Sequence, residues 1–300
     1  MQVSTKHFNA QSIERFSELN AAIQDSQAKI ATGRKILKAS DDPIAAAAIS
    51  AVRDQKSMIT QFESNIVQAR MRLTVAEAAL GQLGNSVTRL FELSLQAQND
   101  TLSPTDRQAL AAEVGQVKTF ILSLANSTDN NGQAVFAGFQ TNTEPFQTQA
   151  DGSISYKGDR GRHTLQVSES FSIKTGIDGA EIFQRIDGKS GPDDLFKIIG
   201  TLETGLKADM IAMDTTERLK KAVDHMSIQQ ATIGAAINQA DRQADVLDRR
   251  KLAVSEDLSQ LQDADLQQLV LEMQSLLLSR DAAQQAFAKI GQQSLFDFIR

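Results

Sequence analysis

The chain has 300 residues, a net charge of −6 and no cysteine, which excludes disulfides, thiolate zinc sites and cysteine catalysis. The acidic balance argues against a protein that binds nucleic acid by neutralising phosphates. Hydrophobic residues make up 41% of the chain and charged residues 23%, so it can bury a core. No apolar run approaches the ~18 residues of a membrane span. The first residues lack the apolar stretch of a secretory signal, so we expect no cleaved leader.

The N-terminal segment, residues 1–42, predicts an amphipathic helix. Its apolar pattern is weaker than those further along the chain and consists of Ile13, Phe16, Ile23, Ile30 and Leu37. Ser40-Asp41-Asp42-Pro43 then predicts a helix stop and restart. Asp42 would cap the new helix and Pro43 would take its first position, where the missing amide hydrogen is no loss.

Three further stretches carry apolar residues at alternating spacings of three and four, a pattern typical of helices that pack along their length. These seams lie at residues 59–90, 110–124 and 233–261. Ser103 and Asp106, on either side of Pro104, predict the start of the second of these helices. We interpret the three seams as the core of an antiparallel helical rod.

Between about 133 and 190 the pattern changes to short, partly alternating runs separated by Gly, Asn and Asp. This texture is typical of strands and turns. The predicted strands are residues 135–139, 153–156, 164–167 and 171–173. Helix is expected to resume from Asp193, led by Pro192.

The C-terminal segment begins where the apolar phase slips by one residue, after Asp263-Ala264-Asp265. The end of the chain lies outside the capped rod, as the N-terminal helix does, so neither end has another apolar domain to bury against. Exposed apolar surface of this kind usually marks an interaction site. We therefore predict an assembly interface made of the five N-terminal residues above and Leu266, Leu269, Met273, Leu276, Phe287, Ile290, Leu295 and Phe298.

Together these elements predict a mainly α protein with a small β insertion, in which the N- and C-terminal halves build a long antiparallel rod and the terminal helices pair on assembly. The predicted division is an N-terminal assembly helix, the two halves of the rod around a β-rich outer domain, and a C-terminal assembly helix. In chain order these are residues 1–42, 43–132, 133–190, 191–263 and 264–300.

Side chains capable of chemistry are scattered. His7, His163 and His225 lie in different segments without metal-ligand spacing. Gly188-Lys189-Ser190 resembles the end of a phosphate loop, but Phe183 stands where that loop needs its first glycine. No catalytic, cofactor or metal site is predicted, although an enzyme site within residues 133–190 remains an alternative.

Several of these residues carry a family resemblance. The stretch 31–36 followed by 40–47 resembles the N-terminal signature of the flagellin superfamily, and residues 286–300 resemble its terminal helix. The opening Val3-Ser4-Thr5 and the run 135–146 are more similar to the branch that joins hook to filament than to filament flagellin, which stays the alternative. The motif residues are Thr32, Gly33, Arg34, Ser40, Asp41, Asp42 and Pro43.

The resemblance implies a structural component of the bacterial flagellum that carries out no reaction. Its expected partners are further copies of itself in a ring, a neighbouring hook-associated protein on the hook side and flagellin on the filament side. It also implies export to the cell exterior through the flagellar type III apparatus, with the export apparatus or a chaperone as a further expected partner. Nucleic acid and membranes are not expected partners.

Overall fold

The structure, a computed structural model, describes residues 2–189, 191–210 and 214–292. Its helices are α1 (Gln2–Thr32), α2 (Pro43–Ala97), α3 (Pro104–Ala125), α4 (Gly179–Phe183), α5 (Leu195–Lys207), α6 (Asp214–Gln262) and α7 (Leu266–Gln292). Its strands are β1 (Phe146–Thr148), β2 (Ile154–Tyr156), β3 (Thr164–Gln166), β4 (Ser172–Lys174), β5 (Ile186–Gly188) and β6 (Gly191–Asp193). The chain divides into two compact units, residues 1–58 with 250–300 and residues 59–249. The mainly helical fold with a small β region is confirmed.

The helix starts predicted at Asp42 and Ser103 are confirmed, and side-chain capping explains each. The Asp42 carboxylate accepts hydrogen bonds from the amides of Ile44 and Ala45, at 3.1 and 3.0 Å, where α2 begins. At the start of α3, the Ser103 hydroxyl accepts from the Asp106 amide and the Asp106 carboxylate accepts from the Ser103 amide. Each acceptor satisfies an amide that has no partner inside the helix.

The core of the second unit follows the predicted seams. Every apolar position of the α2 seam is buried: Ile59, Phe62, Ile66, Ala69, Leu73, Ala76, Leu80, Leu83, Val87 and Leu90. Helix α6 runs antiparallel to α2, since Arg70 pairs with Asp241 at 2.9 Å and Gln98 donates to Thr216 at 2.8 Å. The prediction that the α2 seam forms the core between packed helices is therefore confirmed.

The central region contains three separate antiparallel strand pairs. Phe146 pairs with Tyr156 across β1–β2, Leu165 with Ile173 across β3–β4, and Ile186 with Asp193 across β5–β6. Each strand has only three residues. The core beneath them is aromatic: the Phe146 ring lies 4.8 Å from that of Phe183 and 5.5 Å from that of Phe196, centroid to centroid.

Two local predictions here were wrong. Residues 135–139 form no strand: Val135, Phe136 and Ala137 are all buried, so the run does not alternate between two faces. Its backbone makes isolated pairings, including Ala137 with Asp178, and then turns at Gly138.

The second wrong prediction concerns the return to helix. Pro192 lies in β6, not at a helix start. Helix α5 begins at Leu195 because the Asp194 carboxylate accepts from the amides of Phe196 and Lys197. Helix α5 therefore starts two residues later than the predicted start at Asp193.

Candidate assembly surface on the terminal helices

Helices α1 and α7 lie side by side as an antiparallel pair within the first unit. The Phe16 ring of α1 meets the Phe287 ring of α7 with centroids 6.0 Å apart. At the other end of the pair, the Gly33 carbonyl accepts from the Ala264 amide at 2.9 Å. Early residues of α1 thus face late residues of α7, which makes the pair antiparallel.

Helix α1 turns one regular stripe toward α7. Its less exposed positions include Ser12, Phe16, Leu19, Ile23, Ser26 and Ile30, spaced alternately by four and three as in a coiled coil. Of these, Ile23 and Ser26 are buried. Ile13 lies off the stripe and is 66% exposed. The sequence pattern did not reveal Leu19 because serines at 12 and 26 interrupt the apolar repeat.

Helix α7 buries much less than its composition suggests. Leu269, Met273, Leu276, Arg280, Ala283 and Phe287 form its half-buried stripe, at the predicted positions. Within 266–289, where its side chains are described, none is fully buried. On another face, Leu271 and Leu278 are 66% and 73% exposed. These two leucines stand seven residues apart, a spacing that could have been found in the sequence.

The predicted interface residues thus fall into four groups. Ile23 is buried within this chain, and Ile13 and Leu266 are exposed. Half-buried are Phe16, Ile30, Leu37, Leu269, Met273, Leu276 and Phe287. The Ile290 side chain, Leu295 and Phe298 lie outside what the structure describes. Their role as contacts between subunits stays a prediction.

The family-motif residues build the connection that follows α1. Thr32 ends the helix with its hydroxyl donating to the Ala28 carbonyl at 2.8 Å, and Gly33 adopts a φ of +67°. Arg34 pairs with Asp263 as an isolated antiparallel bridge. Asp41, after Ser40, accepts from the Lys38 and Leu37 amides. These hydrogen bonds, led by that of Lys38, hold the pKa of the Asp41 carboxyl below its ordinary value.

A groove of about 400 Å³ lies between the two helices near their outer ends. Its walls are lined by the apolar Phe16, Leu19, Ala283, Ala286 and Phe287 and by the polar Gln11, Ser12 and Arg15. The described lining is therefore mainly apolar, and it includes no cluster of titratable groups suited to a reaction. Its chemistry is that of a contact surface.

Several polar side chains elsewhere have structural partners. Asp41 and Asp42 cap backbone amides, and His225 lies 3.0 Å from the Glu181 carbonyl through its Nε2 atom. Among the described residues, no three His, Asp or Glu side chains converge as a metal site would require. Over the same residues, no helix has the length and apolar character needed to cross a membrane.

Long antiparallel helices, the side-by-side pairing of α1 with α7 and a partly exposed apolar surface define a structural protein that works through contacts. Residues 3–141 match the bacterial flagellin N-terminal helical region, and residues 216–299 match the bacterial flagellin C-terminal helical region. The chain belongs to the bacterial flagellin family.

Within this family, the chain is similar to two curated relatives and to one solved structure. The flagellar hook-associated protein 3 of Escherichia coli is 26% identical over 88% of each chain. A flagellin of Clostridium tyrobutyricum is 33% identical, over 52% of this chain and 40% of its own length. The crystal structure of flagellar hook-associated protein 3 from Legionella pneumophila has the same fold, with a TM-score of 0.66 and 17% identity over 71% of this chain and 98% of that one.

Proposed function

We propose that this protein is a structural subunit of the flagellar axis that joins the hook to the filament. The observation that carries the proposal is the match to the E. coli hook-associated protein 3, which extends over 88% of both chains. The flagellin of C. tyrobutyricum aligns over only 40% of its own length, and flagellin FlaB2 of Treponema pallidum over 72%. A protein similar to a junction protein along nearly all its length is better explained as a junction protein than as filament flagellin.

The terminal helices supply the contacts by which copies assemble. Two helices alone make a marginal structure in water, because most helix stability in proteins comes from burying an apolar face. Here α7 leaves Leu271 and Leu278 exposed while its stripe toward α1 is only half-buried. Packing against a neighbouring copy would bury both faces at ~25 cal/mol per Å² of apolar surface.

We assign the assembly contacts to exposed and half-buried members of the predicted interface, together with Leu271 and Leu278. Ile23 belongs instead to the inner contact between α1 and α7. In this arrangement residues 1–42 and 264–300 form the assembly helices, 43–132 and 191–263 the rod, and 133–190 the outer domain.

A position between hook and filament determines which proteins the subunit contacts. One side of a ring of copies binds a preceding hook-associated protein, and the other offers a flagellin-like surface to the first filament subunits. The chain would reach that place outside the cell through the flagellar export apparatus, with the apparatus itself or a chaperone as a further partner. It would act by contact alone and catalyse no reaction.

The test is to find the protein on the flagellum. Immunogold labelling of purified hook–filament structures should give one narrow band between hook and filament. Cells lacking the gene should build hooks and release flagellin into the medium without growing filaments. Label along the whole filament, with no separate flagellin accumulating outside the mutant cells, would identify the protein as the filament subunit instead.

A further inference from the structure

A short backbone contact joins the end of α1 to the start of α7. We call residues 33–35 and 262–264 the clasp. The Ala264 amide donates to the Gly33 carbonyl and the Lys35 amide donates to the Gln262 carbonyl, both at 2.9 Å. Arg34 and Asp263 face each other between these bonds as an antiparallel bridge. These contacts therefore fix the position of the end of α1 along the axis of α7.

Side chains around the clasp hold it in place. The Lys35 ammonium donates to the Gln260 carbonyl at 2.7 Å, and the Arg53 guanidinium donates to the Gln262 side chain at 2.6 Å. On the α7 side, the Asp265 carboxylate accepts from the amides of Gln267 and Gln268 at 3.0 and 3.1 Å. Helix α7 thus starts at Leu266, two residues after the last residue of the clasp.

The helix pair needs a contact that fixes its alignment, because the stripe pattern of each helix repeats every seven residues. A slip of seven residues moves one helix by ~10 Å and again brings stripe position against stripe position. On α1 the slip replaces Phe16 by Ile23 or Ile23 by Ile30, which are also apolar, although it exchanges Leu19 with Ser12 or Ser26. Side-chain packing alone therefore discriminates only in part between neighbouring alignments, whereas a 2.9 Å hydrogen bond does not survive a slip of ~10 Å.

We propose that the clasp sets the alignment of α1 against α7, and that Gly33 is the residue on which its geometry depends. The φ of Gly33 is +67°, a conformation that costs a residue with a Cβ atom more than glycine. A Cβ atom there would meet nothing within 4 Å. Replacement by alanine therefore strains the backbone of the clasp and disturbs no packing. This inference concerns the single chain and holds independently of the place of the protein in the flagellum.

The experiment uses pairs of introduced cysteines, which report cleanly because the natural chain has none. Ala283→Cys is combined in turn with Leu19→Cys, which shares the interhelical groove, and with Ser12→Cys or Ser26→Cys, one heptad to either side. Disulfide formation in the dilute full-length protein is followed on non-reducing gels, where intramolecular and intermolecular products differ in mass. The expected result is that the 19–283 bond forms faster than the 12–283 and 26–283 bonds.

In the Gly33→Ala background this preference should fall about five- to thirty-fold, the factor implied by the penalty for a Cβ atom at positive φ. Lys35→Pro, which removes the other amide donor of the clasp, should act in the same direction. Gly33→Asn, which tolerates this conformation, should retain most of the preference. Gly84→Ala is the matched control, because this helical glycine also has nothing within 4 Å of a built Cβ atom and shows no positive φ.

An undiminished preference in both Gly33→Ala and Lys35→Pro would overturn the proposal, because the helix stripes would then set the alignment themselves. Equal rates for the three cysteine pairs in the otherwise natural chain would also overturn it. Neither result bears on the location of the protein, which immunogold labelling decides separately.

Discussion

The ring of Phe16 on α1 stands nearly perpendicular to the ring of Phe287 on α7, with centroids 6.0 Å apart. An edge-to-face aromatic pair contributes ~0.5–1.5 kcal/mol beyond its buried area, while ordering each residue of the backbone costs ~1–2 kcal/mol. Both rings are only half-buried. The contact therefore orients the helix pair without making it stable by itself.

Limited proteolysis of the monomer should remove α1 and α7 first and leave a core from about residue 45 to 260. The physical reason is that the described side chains of α7 include none that is fully buried, so local opening of the pair costs little. Mass spectrometry of the fragments gives the boundaries. Termini cleaved as slowly as the middle of α2 would show that the pair is a stable part of the monomer.

Aspartate introduced at two seam leucines should separate core from assembly surface. Leu80 is fully buried in the second unit, and Leu80→Asp should lower its stability by several kcal/mol, the cost of a buried unpaired carboxylate. Leu276 is half-buried on α7, so Leu276→Asp should leave the main thermal transition nearly unchanged. Circular dichroism melts of the two variants make the comparison. Equal losses in Tm would show that Leu276 belongs to the monomer core.

The difference between α2 and α1 explains how far the sequence could predict the fold. The α2 seam has an apolar residue at each repeat position, so period alone identified its core. On α1, serine occupies two of the stripe positions, Ser12 and Ser26, and Ile13 lies beside the stripe. The sequence therefore predicted the helix but did not identify which of its residues face α7.

Non-local contacts set the remaining limit. Residues 135–137 are apolar and consecutive, a pattern compatible with a strand, yet they are held by backbone pairings to distant segments and by the aromatic cluster. The clasp is likewise a long-range backbone contact, since it joins Arg34 to Asp263. No local pattern encodes such a pairing, although the apolar phase slip at 263–265 did mark the helix break.

Gly138→Ala should destabilise the central region more than Gly152→Ala does. Both glycines have positive φ, +69° and +78°, so both substitutions carry the ~1–2 kcal/mol cost of that conformation. At Gly138 the new Cβ atom would also lie 2.4 Å from the Asp159 carbonyl oxygen, whereas at Gly152 it meets nothing within 4 Å. Urea unfolding of both variants measures the difference, and equal midpoints would contradict the assigned packing.

The single tyrosine should titrate late and weaken the fold at high pH. Burial raises the pKa of Tyr156 to about 12, above its ordinary ~10. The neutral form is thus favoured in the folded chain, so this stabilisation is complete below pH ~10 and is lost as pH rises toward 12. Absorbance at 295 nm reports Tyr156 alone, because the chain has one tyrosine and no tryptophan. Titration at an ordinary pKa in the folded protein would contradict this prediction.

Tyr156→Phe provides the control for that measurement. It removes the hydroxyl that donates to the Asp159 carbonyl at 2.9 Å, so stability near neutral pH should fall by ~1 kcal/mol. The loss of stability above pH 10 should become less steep, since this group no longer ionises. An unchanged alkaline slope would show that another group controls the transition.

Leu278→Asp should prevent filament growth while leaving the single chain folded. Leu278 is 73% exposed, and exposed substitutions usually change stability by no more than ~0.5 kcal/mol. If neighbouring copies cover this leucine, each contact instead buries an unpaired carboxylate, which costs several kcal/mol.

The matched control is Ile228→Asp, which alters an exposed apolar residue of α6 in the second unit; its side chain is 63% accessible. Cells producing the Leu278 variant should carry hooks without filaments and release flagellin into the medium, as seen by electron microscopy and immunoblotting. Cells producing the Ile228 variant at the same level should grow normal filaments. Normal filaments on the Leu278→Asp cells would remove this face of α7 from the assembly surface, and loss of filaments with both variants would show that the effect is not specific to α7.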